Sequence, residues 1–176
     1  MPAYHSSLNG LEGEVPVVSG VPFLPLNTKT RGPAFSDTSL EYDIVDESIR
    51  LFKPNCFFRN FEIKGNADRL LIYGILFISE CLNLLKPTTS LNEAQKAFYS
   101  LSVQNFTIPG DRTFSLSAMY LSAGAKHDSE LLRQYLLQFR QEIAARLPSY
   151  IYSEDISRPS KWWLAFQKRR FMGKSL

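Results

Sequence analysis

The sequence predicts an all-α, mostly helical single domain: a bundle of about five helices around a buried central hydrophobic helix, with an extended N-terminal arm. Three observations carry the prediction. One stretch, Ala67 to Leu85, is apolar around nearly its whole circumference. The segments after and before it repeat apolar residues at helical spacing between capping residues and prolines. The first 35 residues hold five of the ten prolines and four of the nine glycines, so no helix can run through them. At 176 residues, 44% hydrophobic and 21% charged, the chain can bury about 70% of its unfolded surface and needs no disulfide staples.

The single domain is expected to span residues 1–176, divided into an arm (1–35) and a helical body (36–176). In the arm, Val15, Val17, Val18, Val21, Phe23, Leu24 and Leu26 interrupt the prolines, which a solvated tail would not need. The arm should therefore lie against the body or a neighbour. The first helix begins at Asp43 as its cap, with Asp46 and Glu47 near the positive end of the helix dipole, and stops at Pro54. Ile44, Val45, Ile49 and Phe52 share one face. The Phe57, Phe58, Phe61, Ile63 run fits either a short extended piece or a helix continued past a kink.

In the central segment, Leu70, Leu71, Ile72, Ile75, Leu76, Phe77, Ile78, Leu82, Leu84 and Leu85 leave no polar face. At about 1.5 to 3 kcal/mol per buried large side chain, they represent roughly 15 to 30 kcal/mol gross, more than the net stability of a typical domain. Other helices must surround this one. Ser90 and Glu93 form a capping box after Pro87, and Ala94, Ala97, Phe98 and Leu101 follow at amphipathic spacing. From Val103 to Ala123 the pattern turns extended, with a turn at Pro109, Gly110 and Asp111, and fits a hairpin or a pinned loop. A fourth helix runs from Asp128 to Leu147 with Leu131, Leu132, Tyr135, Leu136, Phe139 and Ile143 inward. Arg133, Gln134, Gln141, Glu142 and Arg146 face water, and Pro148 ends it. A fifth starts at Pro159 and carries Trp162, Trp163 and Phe166 toward Arg170.

Residues that carry chemistry are sparse. Cys56 and Cys81 sit among apolar neighbours and read as buried free thiols, not as a disulfide framework. His5 and His127 have no second histidine or cysteine at ligand spacing, so no metal is expected. The adjacency of His127 and Asp128 is not the geometry of a triad. No GxGxxG or GxxxxGK[ST] occurs, so no nucleotide cofactor is expected on this chain. Acids at Asp43, Asp46 and Glu47 are what a helix start predicts without any acid–base role. No charged-then-apolar leader is present. The longest uncharged apolar stretch, Leu70 to Ser79, is well short of the roughly 20 residues that span a bilayer. A soluble, intracellular protein without membrane insertion is expected.

The formal charge of +3 conceals an asymmetry. Arg158, Lys161, Lys168, Arg169, Arg170 and Lys174 lie between Arg158 and Leu176 without one acid, leaving the rest of the chain net acidic. Lys161, Trp162, Trp163, Lys168, Arg169 and Arg170 form the candidate partner-binding set, since tryptophan and arginine dominate interfaces. The plainer reading is that the tryptophans anchor the last helix while the bases form a solvated face. Both hold if one ring points inward. Nucleic-acid binding is the competing functional class, because basic residues among aromatics grip phosphates and stack on bases. The acidic remainder and the lack of a nucleic-acid motif count against it.

Ordered pieces along the chain resemble the family of the third subunit of the actin-related protein 2/3 complex. They are Met1-Pro-Ala-Tyr-His-Ser-Ser7, Asp43-Ile-Val-Asp-Glu47, Ala67-Asp-Arg69, Leu71-Ile-Tyr73 and Ile78-Ser-Glu-Cys-Leu82. Asn105-Phe106, Ile108-Pro-Gly110, Arg140-Gln-Glu142, Pro159-Ser-Lys-Trp-Trp163, Phe171-Met172 and Lys174-Ser-Leu176 continue the series. The similarity is weakest from Leu8 to Tyr42 and from Lys86 to Ala97, and Pro54 departs from the pattern. The resemblance implies a small, non-catalytic helical subunit that packs beside an actin-related protein and helps the complex hold the side of a pre-existing actin filament. It implies the actin-related proteins, the other subunits and the filament as partners. It also implies ATP held by other subunits, stimulation by nucleation-promoting factors, and a place in the cytoplasm at cortical actin and endocytic sites. The basic C-terminal end is then expected to face either the filament or another subunit.

Overall fold

Asp43 closes the first helix, α1 (Ile44–Asn55), as a full capping box. Its carboxylate accepts from the N–H groups of Val45 at 3.0 Å and Asp46 at 3.2 Å, and Asp46 accepts from the Asp43 N–H at 3.0 Å. The structure, a computed structural model, describes residues 3–122 and 124–176. Met1 and Pro2 of the expected arm, and Ala123 at the end of the expected loop, lie outside the described residues. The apolar face of α1, Ile44, Val45, Ile49 and Phe52, is buried as expected, and Pro54 falls one residue before the helix ends. The Phe57 to Ile63 run is neither helix nor strand. Phe61 packs edge-on against Phe171 while Phe57 stays exposed.

The central helix, α2 (Asn66–Asn83), touches α1, a third helix α3 (Leu91–Val103), a fourth helix α4 (Lys126–Ile151) and the arm. Of the ten large apolar residues between Leu70 and Leu85 expected to be enclosed, nine are buried. Leu84 is the exception at 43% exposure, because it sits at the C-cap where the chain turns off the axis. Gly74 decides how close α1 can come: a β-carbon there would lie 2.6 Å from Ser48 Oγ and 3.0 Å from the Phe139 ring. Ser48 cannot easily yield, since it is fully buried and donates to the Ile44 carbonyl at 2.7 Å.

Helix α3 starts with the Ser90 and Glu93 box, burying Ala94 and Phe98. Residues 104–122 form a pinned loop that contains a 3-10 turn at Ser117–Met119 and no strand. The Ile108 N–H donates to the Asp111 carboxylate at 2.8 Å and the Asp111 N–H to the Ile108 carbonyl at 3.0 Å. Helix α4 corrects two expectations. It begins two residues before Asp128, and Pro148 does not end it: the helix continues to Ile151, and the Tyr152 N–H donates to the Pro148 carbonyl at 2.9 Å. A proline costs one hydrogen bond and a local clash, whereas Leu147, Ile151 and Tyr152 are all buried by carrying on.

Three residues of α4 expected to face water are tied down instead. The Arg133 guanidinium donates to the Phe106 carbonyl at 2.6 Å. Arg146 pairs with both Asp43 oxygens at 2.8 Å, Asp46 at 3.1 Å and Glu142 at 3.0 Å, and donates to the Asn27 carbonyl at 2.6 Å. Glu142, the third of these residues, is held by that contact and also accepts from the Thr28 hydroxyl at 2.5 Å. Arg140, 4% exposed, lies between the Phe77 and Phe106 rings with its guanidinium carbon 4.6 and 4.2 Å from their centroids. It donates to the Leu101 and Ser102 carbonyls at 2.8 and 3.2 Å, satisfying the acceptors left open at the C-terminal end of α3.

The arm is built into the body. Among the described residues its regular pieces are β1 (Val17–Val18) and β2 (Val21–Pro22), an antiparallel pair turned by Ser19 and Gly20, both at positive φ as a tight hairpin demands. Val21, Phe23, Leu24 and Leu26 are buried, Val15 and Val18 half-buried, and Val17 exposed. Phe23 stacks on Tyr135 with centroids 4.6 Å apart, and the Tyr135 hydroxyl donates to the Leu24 carbonyl at 2.9 Å. Two fully enclosed carboxylates hold the first residues. Asp68 accepts from His5 Nδ1 at 2.7 Å, the Ser6 N–H at 2.8 Å and the Lys64 N–H at 2.9 Å. Glu47 accepts from the Ser6 hydroxyl, the Ser7 N–H at 3.0 Å and the Ser7 hydroxyl at 2.5 Å.

Two expected outcomes test this packing. Gly74→Ala improves helix propensity by about 1 kcal/mol but overpacks the α1–α2 contact by about 1 to 3 kcal/mol. The melting temperature should fall, and a rise would show that Ser48 moves freely. Burial pulls the Asp43 pKa up, but the hydrogen bonds and charge of Arg146 outweigh it and hold the carboxyl below its ordinary value. With the folded pKa below the unfolded one, the contribution is complete above about pH 4 and is lost as pH falls toward the folded value. Asp43→Asn keeps the cap but leaves Arg146 without its main partner. Denaturant titrations should show a loss of about 3 kcal/mol at neutral pH and a flatter acid limb.

Candidate interaction surface

The basic C-terminal segment folds more tightly than one long helix would allow. The expected helix from Pro159 to Arg170 is reduced to four residues, α5 (Lys161–Leu164), capped by Ser160, which accepts from the Trp162 N–H at 3.3 Å. Pro159 is buried just ahead of the cap instead of opening the helix. The Ser160 N–H donates to the Ile151 carbonyl at 3.0 Å and so ties α5 to the end of α4. Residues 165–168 are turns, and a short 3-10 turn, Phe171–Gly173, follows with Met172 at φ 55°.

Apolar anchors dictate this path. Trp163 is 8% exposed and stacks on Phe52 with centroids 6.0 Å apart and the Lys53 ammonium 4.2 Å from its ring centroid. Phe166 packs against Phe52 and Phe57, and Phe171 is fully buried. Gln167 Nε2 donates to the Leu82 and Leu85 carbonyls at 2.6 and 2.7 Å, satisfying the open end of α2. With the anchors turned inward, the charges face out. Lys161, Lys168, Arg169 and Arg170 are exposed, and Trp162 projects at 63% exposure with Lys161 Nζ 5.1 Å from its ring.

Of the six residues singled out by sequence, five are therefore exposed and Trp163 belongs to the interior. Three further residues arrive from the α1 end of the chain: Lys53, Phe57 and Arg59. Phe57 is 60% exposed and lies under the Arg169 guanidinium at 4.6 Å. Arg59 shares a surface depression with Met172 and Lys174. Glu62 on that rim lies 3.6 Å from Lys64. The Met172 N–H donates to the Phe58 carbonyl at 3.4 Å, holding the two segments side by side. The aromatic and basic character of Phe57-Phe58-Arg59 is visible in sequence; its proximity to Arg169 is not.

This surface offers hydrogen-bond donors and apolar rings, which suits recognition of an acidic protein face. Burial pushes the Cys56 thiol up to about 12, with Arg169 offsetting it only in part, so no reactive thiolate adjoins it. His5 is committed to Asp68 and His127 stands exposed on the first turn of α4. Among the described residues no group of three or more His, Cys, Asp or Glu is placed to hold a metal, and no helix is long and apolar enough to cross a membrane.

Comparison with known proteins matches residues 1–176 to the family model P21-Arc, described as the ARP2/3 complex ARPC3 (21 kDa) subunit. The chain is 52% identical to the "Actin-related protein 2/3 complex subunit 3" of Schizosaccharomyces pombe over 176 residues, with both chains covered completely. It is 52% identical over 179 residues to the Saccharomyces cerevisiae protein of the same name, again over the whole of both chains. The Dictyostelium discoideum protein so named is 40% identical over 173 residues, covering 98% of this chain and 99% of that one.

The two neighbouring tryptophans should separate in a single experiment. Trp163→Ala removes a buried ring and should cost about 3 to 5 kcal/mol in chemical denaturation. Trp162→Ala should stay within about 0.5 kcal/mol of the parent. Equal losses would mean that Trp162 also serves the interior.

Proposed function

This chain belongs to the P21-Arc family, the ARPC3 (21 kDa) subunit of the ARP2/3 complex, and from that premise we propose that its basic, aromatic end docks it within the assembly. It is a structural subunit in branched actin nucleation and belongs to the cytoplasmic actin cytoskeleton. Its work is done by shape and surface, with no catalytic residues of its own, and residues 1–35 act as part of one folded unit with residues 36–176. The complex acts at cortical actin sites, where it starts new filaments from the side of existing ones. The three relatives compared above are named for the same complex, which leaves nucleic-acid binding without support.

One observation carries the docking proposal. Two large aromatic side chains stand exposed against cations on segments whose backbones are otherwise pinned, Trp162 with Lys161 at 5.1 Å and Phe57 with Arg169 at 4.6 Å. Exposed aromatic rings among cations, on a rigid support, are the composition of an interface centre. Lys161, Trp162, Lys168, Arg169 and Arg170, with Phe57 and Arg59, are the residues proposed to meet an acidic face of a neighbouring actin-related protein or another subunit. Trp163 supports them from below.

The tagged chain, recovered from cytosol, should bring both actin-related proteins with it in a stoichiometric complex. Reversing Lys168, Arg169 and Arg170 to glutamate should reduce that recovery at unchanged melting temperature and make what remains more sensitive to salt. Full assembly with weakened branching would assign the face to the filament, and unchanged assembly and branching would remove these residues from any interface.

A further inference from the structure

A pocket of about 270 Å³ opens between α2, α4, the C-terminal end of α3 and the loop after it. None of the residues proposed for docking lines it. Tyr73 and Phe77 of α2 and Arg140 of α4, all buried, form its floor, and Leu101 and Phe106 give it an apolar wall. Half-buried Glu80 stands on the same face of α2 as Tyr73 and Phe77, one turn beyond Phe77. The volume is below the range of about 300 to 1,000 Å³ found for drug-sized ligands, so a fitting occupant has only a few carbon atoms.

The floor of this pocket holds more donors than acceptors. Arg140 is a buried cation, and among the described residues no carboxylate lies within 4.0 Å of its nitrogens. A guanidinium carries five N–H groups. Three of them go to the Ser102 carbonyl at 3.2 Å, the Leu101 carbonyl at 2.8 Å and the Tyr73 hydroxyl at 3.3 Å, which leaves two without a partner among the described residues. The Tyr73 oxygen accepts from Arg140, and its own proton meets no acceptor among those residues. Burial raises the Tyr73 pKa against the opposing charge of Arg140, so the hydroxyl remains a donor at neutral pH. Arg133 brings a second cation to 5.7 Å from the Phe106 centroid, but Asp111 answers its charge at 3.4 Å. Arg140 has carbonyls and a hydroxyl as partners and no counter-charge, so its desolvation is only partly offset. Two N–H groups of a planar fork and a hydroxyl are a donor set that suits a carboxylate.

We infer that this pocket binds a small free monocarboxylate, with the carboxylate on Arg140 and the Tyr73 hydroxyl and a short alkyl chain against Leu101 and Phe106. Glu80, the carboxylate side chain on the wall, sets the charge limit: a dicarboxylate or a phosphate would bring a second negative charge toward it. Arg140 already joins the C-terminal end of α3 to α2 through the Leu101, Ser102 and Tyr73 contacts. A bound carboxylate therefore braces that junction and raises the stability of the chain by mass action. The site goes beyond the docking reading and does not depend on it.

The test titrates the full, isotope-labelled chain with sodium isovalerate at constant ionic strength and follows it by NMR. Saturable shifts are expected at the Leu101 and Phe106 amides and at the Arg140 Nε–H, with a higher melting temperature at saturation. Isovaleramide, the neutral isostere, should bind about tenfold or more weakly, as should succinate and inorganic phosphate. Tyr73→Phe keeps the ring, removes one donor and should weaken isovalerate about tenfold. Glu80→Gln should improve succinate binding more than isovalerate binding. Circular dichroism melts establish that each variant folds. No saturable shift with isovalerate, equal binding of isovaleramide, or unchanged affinity in folded Tyr73→Phe overturns the inference. Phosphate binding tighter than isovalerate would make this a general anion site and overturn the ligand class. Saturation transfer to isovalerate should persist with the purified complex; its loss there would give the pocket to a side chain of a neighbouring subunit and also overturn the inference. The chain with Lys168, Arg169 and Arg170 reversed should bind isovalerate as the parent does, so failure of this site leaves the docking proposal standing.

Discussion

A helix with no polar side is the constraint from which this architecture follows. Helix α2 must be enclosed completely, because leaving even part of its apolar surface wet would cost several kcal/mol against a net stability of about 5 to 15. Three long helices cover most of it, and the remaining sector is closed by the arm at β2. The arm is therefore part of the interior, even though its prolines and glycines exclude it from any helix. Gly74 belongs to the same constraint. It allows α1 to approach α2 so closely that a single methyl group would collide with Ser48.

Enclosing one helix with an irregular arm creates a second problem, since extended backbone brings unpaired N–H and carbonyl groups toward the interior. The chain solves it with ionised side chains that accept or donate several bonds each. Glu47 and Asp68 receive the backbone and hydroxyl donors of Ser6 and Ser7 together with His5. Arg140 occupies the open carbonyls of α3, and Arg146 ties the start of α1 to α4 and to Asn27 in the arm. Charge-assisted bonds of this kind are each stronger than neutral ones, and their partners cannot be removed singly without leaving a buried charge.

The proposed interaction surface grows out of the same packing. At the C-terminal end of α2, Gln167 takes the open carbonyls while Trp163, Phe166 and Phe171 fill the space beside α1. Each inward aromatic turns its neighbours outward, so Trp162 and the run from Lys168 to Arg170 are exposed. The segment after α1 is drawn against it by the Phe57, Phe166 and Arg169 contacts.

The sequence by itself determined the helical class, the identity of the central helix, the Asp43 and Ser90 caps, and the basic, aromatic character of the C-terminal end. These are local properties: periodicity, capping chemistry and charge counted over short windows. Tertiary structure alone decided what depended on a distant partner. Pro148 stays inside α4 because burial of Leu147, Ile151 and Tyr152 outweighs one missing hydrogen bond. The expected fifth helix shortens to four residues because Trp163, Phe166 and Phe171 must reach the interior from a chain that turns. Arg146 leaves solvent because Asp43, far away in sequence, waits for it at the start of α1. Phe57 and Lys53 join the surface for the same reason: adjacency across a fold is set by packing, and no window along the chain records it.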